Sequence, residues 1–407
     1  MRFLDKIYIM TVAICILAGC SGASFKVVVS NPYDYDRHPE MVEVALTEVC
    51  TALALADDED FVIRSKRKEV PYQITHDGKI IFPVTLEAGG QQTYTFRKGT
   101  PAVVQTIACG KHYPDKDNDI AWENDKVGFR MYGHKLDVAA GYDLFAKRGT
   151  ERPVLEEFYK NEVSTAPTWN RYKELLETDS KEAFRYLMDS ISYHVDKGFG
   201  MDCYAVGPTI GAGVAALVED GKIIYPYCYD TFEILDNGPL RFTFKTTFRP
   251  MNIGDDCVTE TRIITLDAGS RLNRTTVSYT GLRQAKQIVA GIALRDNGLK
   301  STTEAEKGYI SYPAPTQNAD STQFVDNGIL YVGHAYPAPL SETKEAEGHV
   351  LALSEYVPGT SFEYFWGFGW DHADILSSEQ WNTYLEVFAA QIRNPLLIDK
   401  TPIFKHF

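Results

Sequence analysis

The sequence predicts a mainly β protein, a large antiparallel β-sandwich with few helices. Three observations predict it. Short runs alternating apolar and polar residues recur along most of the chain, as at residues 127–134 and 240–249. Aromatic residues make up 12% of the 407 residues, with 24 Tyr and 21 Phe, a usage that favours strands. Turn pairs such as Asp77-Gly78, Gly89-Gly90 and Asn237-Gly238 punctuate the runs at hairpin-like intervals.

The elements follow in order. Residues 25–29, 42–46, 79–84 and 92–96 read as short strands of a front β-sandwich-like section spanning residues 21–105. The main sandwich domain spans residues 106–407, with a polar loop at residues 114–119. Residues 153–193 break the strand pattern: 171–177 and 181–191 have helical spacing, and Asp179-Ser180 suits an N-cap. We read this stretch as a helical insertion. Strands resume from Met201, and one helix closes the pattern from Ser378, where Trp381, Leu385, Phe388 and Ile392 fall at helical intervals.

Residues 1–20 read as an address rather than as fold. Arg2 and Lys6 precede a short apolar run at residues 7–17, and Leu17-Ala18-Gly19-Cys20 follows. That is the pattern of a bacterial lipoprotein signal, too short to span a bilayer as a mature helix. The expectation is export, lipidation of Cys20 and a tether to the outer membrane. Ser21-Gly22-Ala23-Ser24 lacks an acidic run, which favours the periplasmic face. The five later cysteines show no C-x-x-C spacing, so mostly buried free thiols are expected.

Lys and Arg number 41 against 55 Asp and Glu, giving a formal charge of −14. A nucleic acid would be repelled over most of such a surface, so no nucleic-acid partner is expected. A small anionic ligand still fits a local cationic pocket. No metal-ligand, phosphate-loop, dinucleotide or nucleophile-elbow motif occurs, and cofactor-free chemistry is the default reading. The acidic loop at Asp115, Asp117 and Asp119 leaves a structural cation open.

Strand alternation sorts the chemistry-bearing residues by face. Val127, Phe129 and Met131 make an apolar face, and Arg130, Tyr132 and His134 its opposite. Asp202 and Tyr204 likewise oppose Met201 and Cys203, after a glycine-rich turn carrying His194. A plain solvated sheet face is the competing explanation. Near the C-terminal end, residues 365–372 pack Trp366, Trp370, Asp371 and His372 among glycines. Exposed, these indoles suit the apolar face of a sugar ring; buried, they are core.

At residues 119–133, 141–147, 194–207, 237–241, 259–262 and 266–270 the chain resembles the secreted bacterial family catalogued as domain of unknown function 4861. The blocks Trp122-Glu123-Asn124 and Gly200-Met201-Asp202-Cys203-Tyr204-Ala205-Val206-Gly207 carry most of the likeness. The resemblance implies a galactose-mutarotase-like supersandwich and a role in polysaccharide-utilisation clusters of Bacteroidetes. It also implies elimination chemistry on uronic-acid glycans. The chain departs from the family at Tyr142-Asp143-Leu144-Phe145, where an isoleucine and a tryptophan are expected.

The leading functional expectation is β-elimination at a uronic acid, by a lyase or dehydratase that leaves a 4,5-unsaturated end. The sugar carboxylate must be neutralised, a base must take the C5 proton, and an acid must protonate the oxygen leaving C4. Arg130 has the fork for the carboxylate. His194 is the expected base, with His134 exchangeable, and Tyr204 or Tyr132 the acid. Trp122 and Trp370 are expected to stack the ring, with Asn124, Lys147 and Asp202 holding hydroxyls or a second charge. A glycoside hydrolase pairing Glu123 with Asp202 or Asp371 is the rival enzyme. A non-catalytic glycan-binding lipoprotein using Trp366 and Trp370 is the third reading.

Overall fold

Alternating burial along the strands organises the protein into antiparallel sheets. The computed structural model describes residues 23–133, 141–149, 153–164, 166–190, 196, 198–204, 206–295, 298–316 and 327–403. Cys20, His134 and His194 lie outside them.

A nine-stranded sheet forms the main layer and includes the strands Arg241–Thr247, Asp256–Asp267, Leu272–Thr280, Phe362–Trp370 and Ile329–Ala335. Its inner face meets two five-stranded sheets. One runs through Ala215–Glu219, Lys286–Ala293 and His349–Tyr356. The other orders its strands Gly200–Asp202, Asp143–Lys147, Gly128–Met131, Asp119–Glu123 and Cys109–Tyr113. All three share one core, in which Phe129, Trp122, Phe244, Ile264, Ile288 and Trp366 are buried. The mainly β, antiparallel sandwich class is as the sequence predicts.

The front section has its own core of Val27, Val44, Phe82, Tyr94 and Phe96. Its outer sheet takes an edge strand from the far end of the chain: Leu397–Ile403 pairs antiparallel with Ser24–Ser30. It also holds helix α1 (Leu46–Leu53), which the sequence reading, with residues 42–46 as a strand, did not identify. The β-branched Thr47, Val49 and Thr51 obscure the helix, yet Val49 and Leu53 share its buried side. The insertion folds as α2 (Leu155–Ser164), α3 (Ala166–Leu176) and α4 (Ser180–Asp189), and Asp179 Oδ1 accepts from Lys181 N and Glu182 N. Helix α5 (Ser378–Arg393) is capped by Ser377 and buries Trp381 and Leu385 on the outer face of the nine-stranded sheet.

Among the described residues no helix is long and apolar enough to cross a membrane. The five cysteines are free, but only Cys203 and Cys228 are buried. Cys257 corrects the expectation: it falls on the exposed side of an alternating strand.

Candidate functional site

Four neighbouring strands bring the candidate residues to one sheet face. Arg130 lies opposite Asp143 and Ala121 in the ladder, and Asp202 lies opposite Phe145. By alternation, Asp119, Glu123, Arg130, Asp143, Lys147 and Asp202 then point one way. Ile120, Trp122, Phe129, Leu144 and Met201 point into the core. Helix α2 covers part of the polar face by packing Leu155, Phe158 and Tyr159 over Ala121 and Phe145.

At the end of this face an acidic cluster closes around one cation. Arg130 Nε lies 2.9 Å from Asp119 Oδ2, and its Nη1 lies 3.2 Å from Asp202 Oδ2 and 3.7 Å from Asp143 Oδ2. The Tyr132 ring sits over the guanidinium at 4.3 Å, and its hydroxyl donates to Asp143 at 2.9 Å. Three carboxylates against one guanidinium leave surplus negative charge out of water, a costly arrangement that protonation relieves. Burial, reinforced by Asp202, pushes the Asp143 carboxyl up to about 7 despite Arg130. Burial pushes Asp119 up to about 6, again against the pull of Arg130. Burial and the adjoining Asp143 hold the Tyr132 phenol well above its ordinary range, so it stays protonated. Burial does the same for Tyr204, whose hydroxyl has no hydrogen-bond partner among the described residues.

This geometry corrects the role expected of Arg130. Its fork is committed to acids of the protein itself and only 7% of the residue is exposed, so it does not clamp a sugar carboxylate.

The remaining expected ligands divide in the same way. Trp122 is fully buried, with Nε1 donating to Asn273 Oδ1 at 2.7 Å, and presents no face to a ring. Trp370 is also buried and donates to the Asn327 carbonyl at 2.9 Å, and Trp366 is core. The strand Phe362–Trp370 is central in its sheet and covered on both faces, which explains why aromatic residues occupy both of its faces. The stacking roles of all three indoles are therefore withdrawn, and with them the tryptophan-based glycan-binding reading.

Glu123 and Lys147 form a buried ion pair at 2.6 Å, and Glu123 also accepts from Val154 N and Leu155 N at the start of α2. It is a helix-terminal carboxylate, where the helix dipole favours negative charge, and is not free to work on a sugar. Asn124 accepts from Lys126 N and Val127 N and donates to the Asp267 and Ser270 carbonyls. Asp125 accepts from Gly269 N at 2.7 Å. Two of the sequence blocks that carry the family resemblance therefore meet as a structural staple. Asp371 accepts from Ile329 N at 2.9 Å, so it too is held by backbone. Arg130, Tyr132, Asp202 and Tyr204 remain as candidates at or beside the cluster.

One contributor was missed by the sequence reading. The Tyr159 hydroxyl donates to Asp119 Oδ2 at 3.2 Å, while its ring stacks on Tyr113 at 3.7 Å between centroids. Both rings line a recess of about 460 Å³, together with Lys111, Lys116, Glu156 and Lys160. The recess therefore reaches the acidic cluster through Tyr159. Its signal was the helical period of residues 155–159, which sets Leu155, Phe158 and Tyr159 on one side. Asp119 turns inward to Arg130, and among the described residues no three His, Cys, Asp or Glu side chains converge to hold a metal.

Comparison with known proteins adds a family and two distant structural likenesses. The model of a family described as domain of unknown function (DUF4861) matches residues 29–398. A protein of Formosa agariphila, described as uncharacterized, is 22% identical over 392 residues, covering 91% of this chain and 92% of that one. An alpha-mannosidase from Enterococcus faecalis superposes with TM-score 0.47 at 9% identity, covering 94% of this chain and 46% of that one. A protein in glycosyl hydrolase family 38 from Enterococcus faecalis gives TM-score 0.43 at 9% identity, covering 93% and 47% respectively. The chain spans less than half the length of either structure.

Proposed function

Because the chain belongs to the family of domain of unknown function 4861, a description that assigns no reaction, we propose a function from the site itself. The protein is a carbohydrate-active enzyme that works by acid–base chemistry on uronate-containing oligosaccharides. Its reaction is β-elimination, which leaves a 4,5-unsaturated uronyl end.

One observation carries this reading: Tyr159 lines a recess where Lys111, Lys116 and Lys160 stand beside Glu156 and Asp115, and hydrogen-bonds a buried carboxyl held near neutrality. A group that titrates close to the working pH is the most effective proton-transfer catalyst. In this scheme the exposed Lys111 and Lys160 trade their surface pairing with Glu156 for the sugar carboxylate, the role first expected of the buried Arg130. The half-buried Tyr113 is the ring turned to the pyranose, with Tyr159 stacked beneath it. Tyr159 passes a proton between the sugar and Asp119, and Arg130, Asp143, Asp202 and Tyr132 set the charge behind it. His194 and His134 remain proposed bases on sequence grounds. Export and a lipid tether at Cys20, on the periplasmic side of the outer membrane, complete the proposal.

A second reading has its own support. Asp143 Oδ2 and Asp202 Oδ2 both approach Arg130 Nη1, so they lie within about 6.9 Å of each other, the sum of those two distances. One of the pair is held protonated near neutrality, as the paired carboxyls of a glycoside hydrolase require.

The test incubates the protein with uronate-capped oligosaccharides and follows both the conjugated double bond and reducing ends. New absorbance supports elimination, and reducing ends without it support hydrolysis. Tyr159→Phe should lower turnover on the order of 10²–10⁴-fold with folding intact. Unchanged turnover in that variant removes Tyr159 from the scheme, and the same outcome for His194→Ala removes the histidine.

A further inference from the structure

A second feature lies on the front section and shares no residue with the acidic cluster. The outer face of its sheet forms a recess of about 600 Å³ lined by Arg64, Lys66, Arg67, Arg97 and Lys98. Lys98 is paired with Glu59. For the other four, the described residues offer neither an ion pair nor a hydrogen bond, and all four are exposed. In a chain of formal charge −14 this is an island of the opposite sign.

The backbone beneath it is also unusual. The strands Phe61–Ser65 and Lys68–Val70 are joined by a two-residue turn whose members, Lys66 and Arg67, have φ of 49° and 71°. A hairpin turn of this handedness strongly favours Asn-Gly, because side chains disfavour the left-handed region. Here it carries two cations. Such an outlier is retained where surrounding structure or use demands it.

We propose that this face is a docking site for a polyanionic polysaccharide, separate from the reaction centre. It holds a long uronate- or sulfate-bearing chain while the recess at Tyr159 works on an end. Thr93 and Thr95 line the same hollow and add hydroxyls for sugar contacts. Arg64 and Arg97 stand on neighbouring strands about 4.8 Å apart, with Lys66 and Arg67 at the turn beyond, so the cations form a row rather than a point. The lining has no aromatic side chain, unlike single-strand nucleic-acid grooves that stack bases. Its one apolar side chain, Val62, is buried, unlike the exposed Trp, Phe and Leu of a membrane-inserting face. The identity of the polyanion as a glycan rests on the function proposed above; the docking site itself rests on the charge and the turn.

The test is gel retardation of the full chain by polygalacturonate, dextran sulfate or neutral dextran, with phosphatidylglycerol vesicles as a separate arm. The wild type should be retarded by both anionic glycans and not by neutral dextran. Two double variants are compared: Lys66→Asn with Arg67→Gly, and Arg64→Gln with Arg97→Gln. Each should weaken glycan binding roughly tenfold or more and lower its salt dependence by on the order of one power per removed cation. The Asn-Gly variant should melt no lower than the wild type, since it suits the turn, so lost binding cannot be lost folding. Turnover on a short oligosaccharide should be unchanged in both. Undiminished retardation overturns the proposal, and so does binding confined to vesicles. Failure of turnover in the wild type instead strikes the proposed function and leaves the docking result standing.

Discussion

Replacing Asp143 by Asn makes the buried acid cluster measurable as a pH dependence of stability. The folded carboxyl keeps its proton up to about pH 7, whereas in the unfolded chain it ionises near 3.8. The unfolded state therefore ionises first as pH rises, and the contribution of Asp143 is full below about pH 4 and lost by about pH 7. A shift of about three pH units corresponds to up to about 4 kcal/mol. Asn is close to the protonated acid in shape; its carbonyl still accepts from Leu144 N, now made by Oδ1 at 2.8 Å. Asp119 shifts in the same direction and is untouched. Denaturant titrations followed by intrinsic fluorescence should then show wild-type stability falling from pH 4 to pH 7. The variant should show a shallower fall that ends near pH 6, and above pH 7 it should equal or exceed the wild type. Parallel curves for the two proteins would refute the assignment of a protonated Asp143.

Four further variants test the same geometry. Arg130→Met removes the guanidinium that three buried acids share and should destabilise by about 3–5 kcal/mol at pH 7, read by the denaturation midpoint. Raising proton activity to pH 5 should recover part of that loss. Glu123→Ala strands Lys147 without its ion-pair partner and uncaps α2, again at a cost of about 3–5 kcal/mol, whereas Trp370→Phe should leave any glycan affinity unchanged. Arg262→Met should expose a similar debt at Glu260, its fully buried partner, seen as a lower melting temperature.

The strand pattern was legible because burial in a sheet repeats every second residue. The face rule set Arg130 against Phe129 and Asp202 against Met201, as the coordinates have it. What alternation cannot reveal is which polar faces join. Asp119, Asp143 and Asp202 come from three different strands, and only their pairing shows that they consume the cation meant for a substrate. The indoles failed for a related reason: a Trp-rich strand reads alike whether it floors a cleft or fills a core. Asn124 and Ser270 lie 146 residues apart, and nothing local links them.

The pairing of Ser24–Ser30 with Leu397–Ile403 closes the polypeptide into a loop of almost its whole length. In chain order Ser24–Ser30 is made long before its neighbour Leu397–Ile403. Until then that strand keeps one hydrogen-bonding edge bare, inviting foreign strands. Losing the ribbon Leu397–Ile403 should therefore injure the strand Ser24–Ser30 first, and a restraint on either strand is felt by the other.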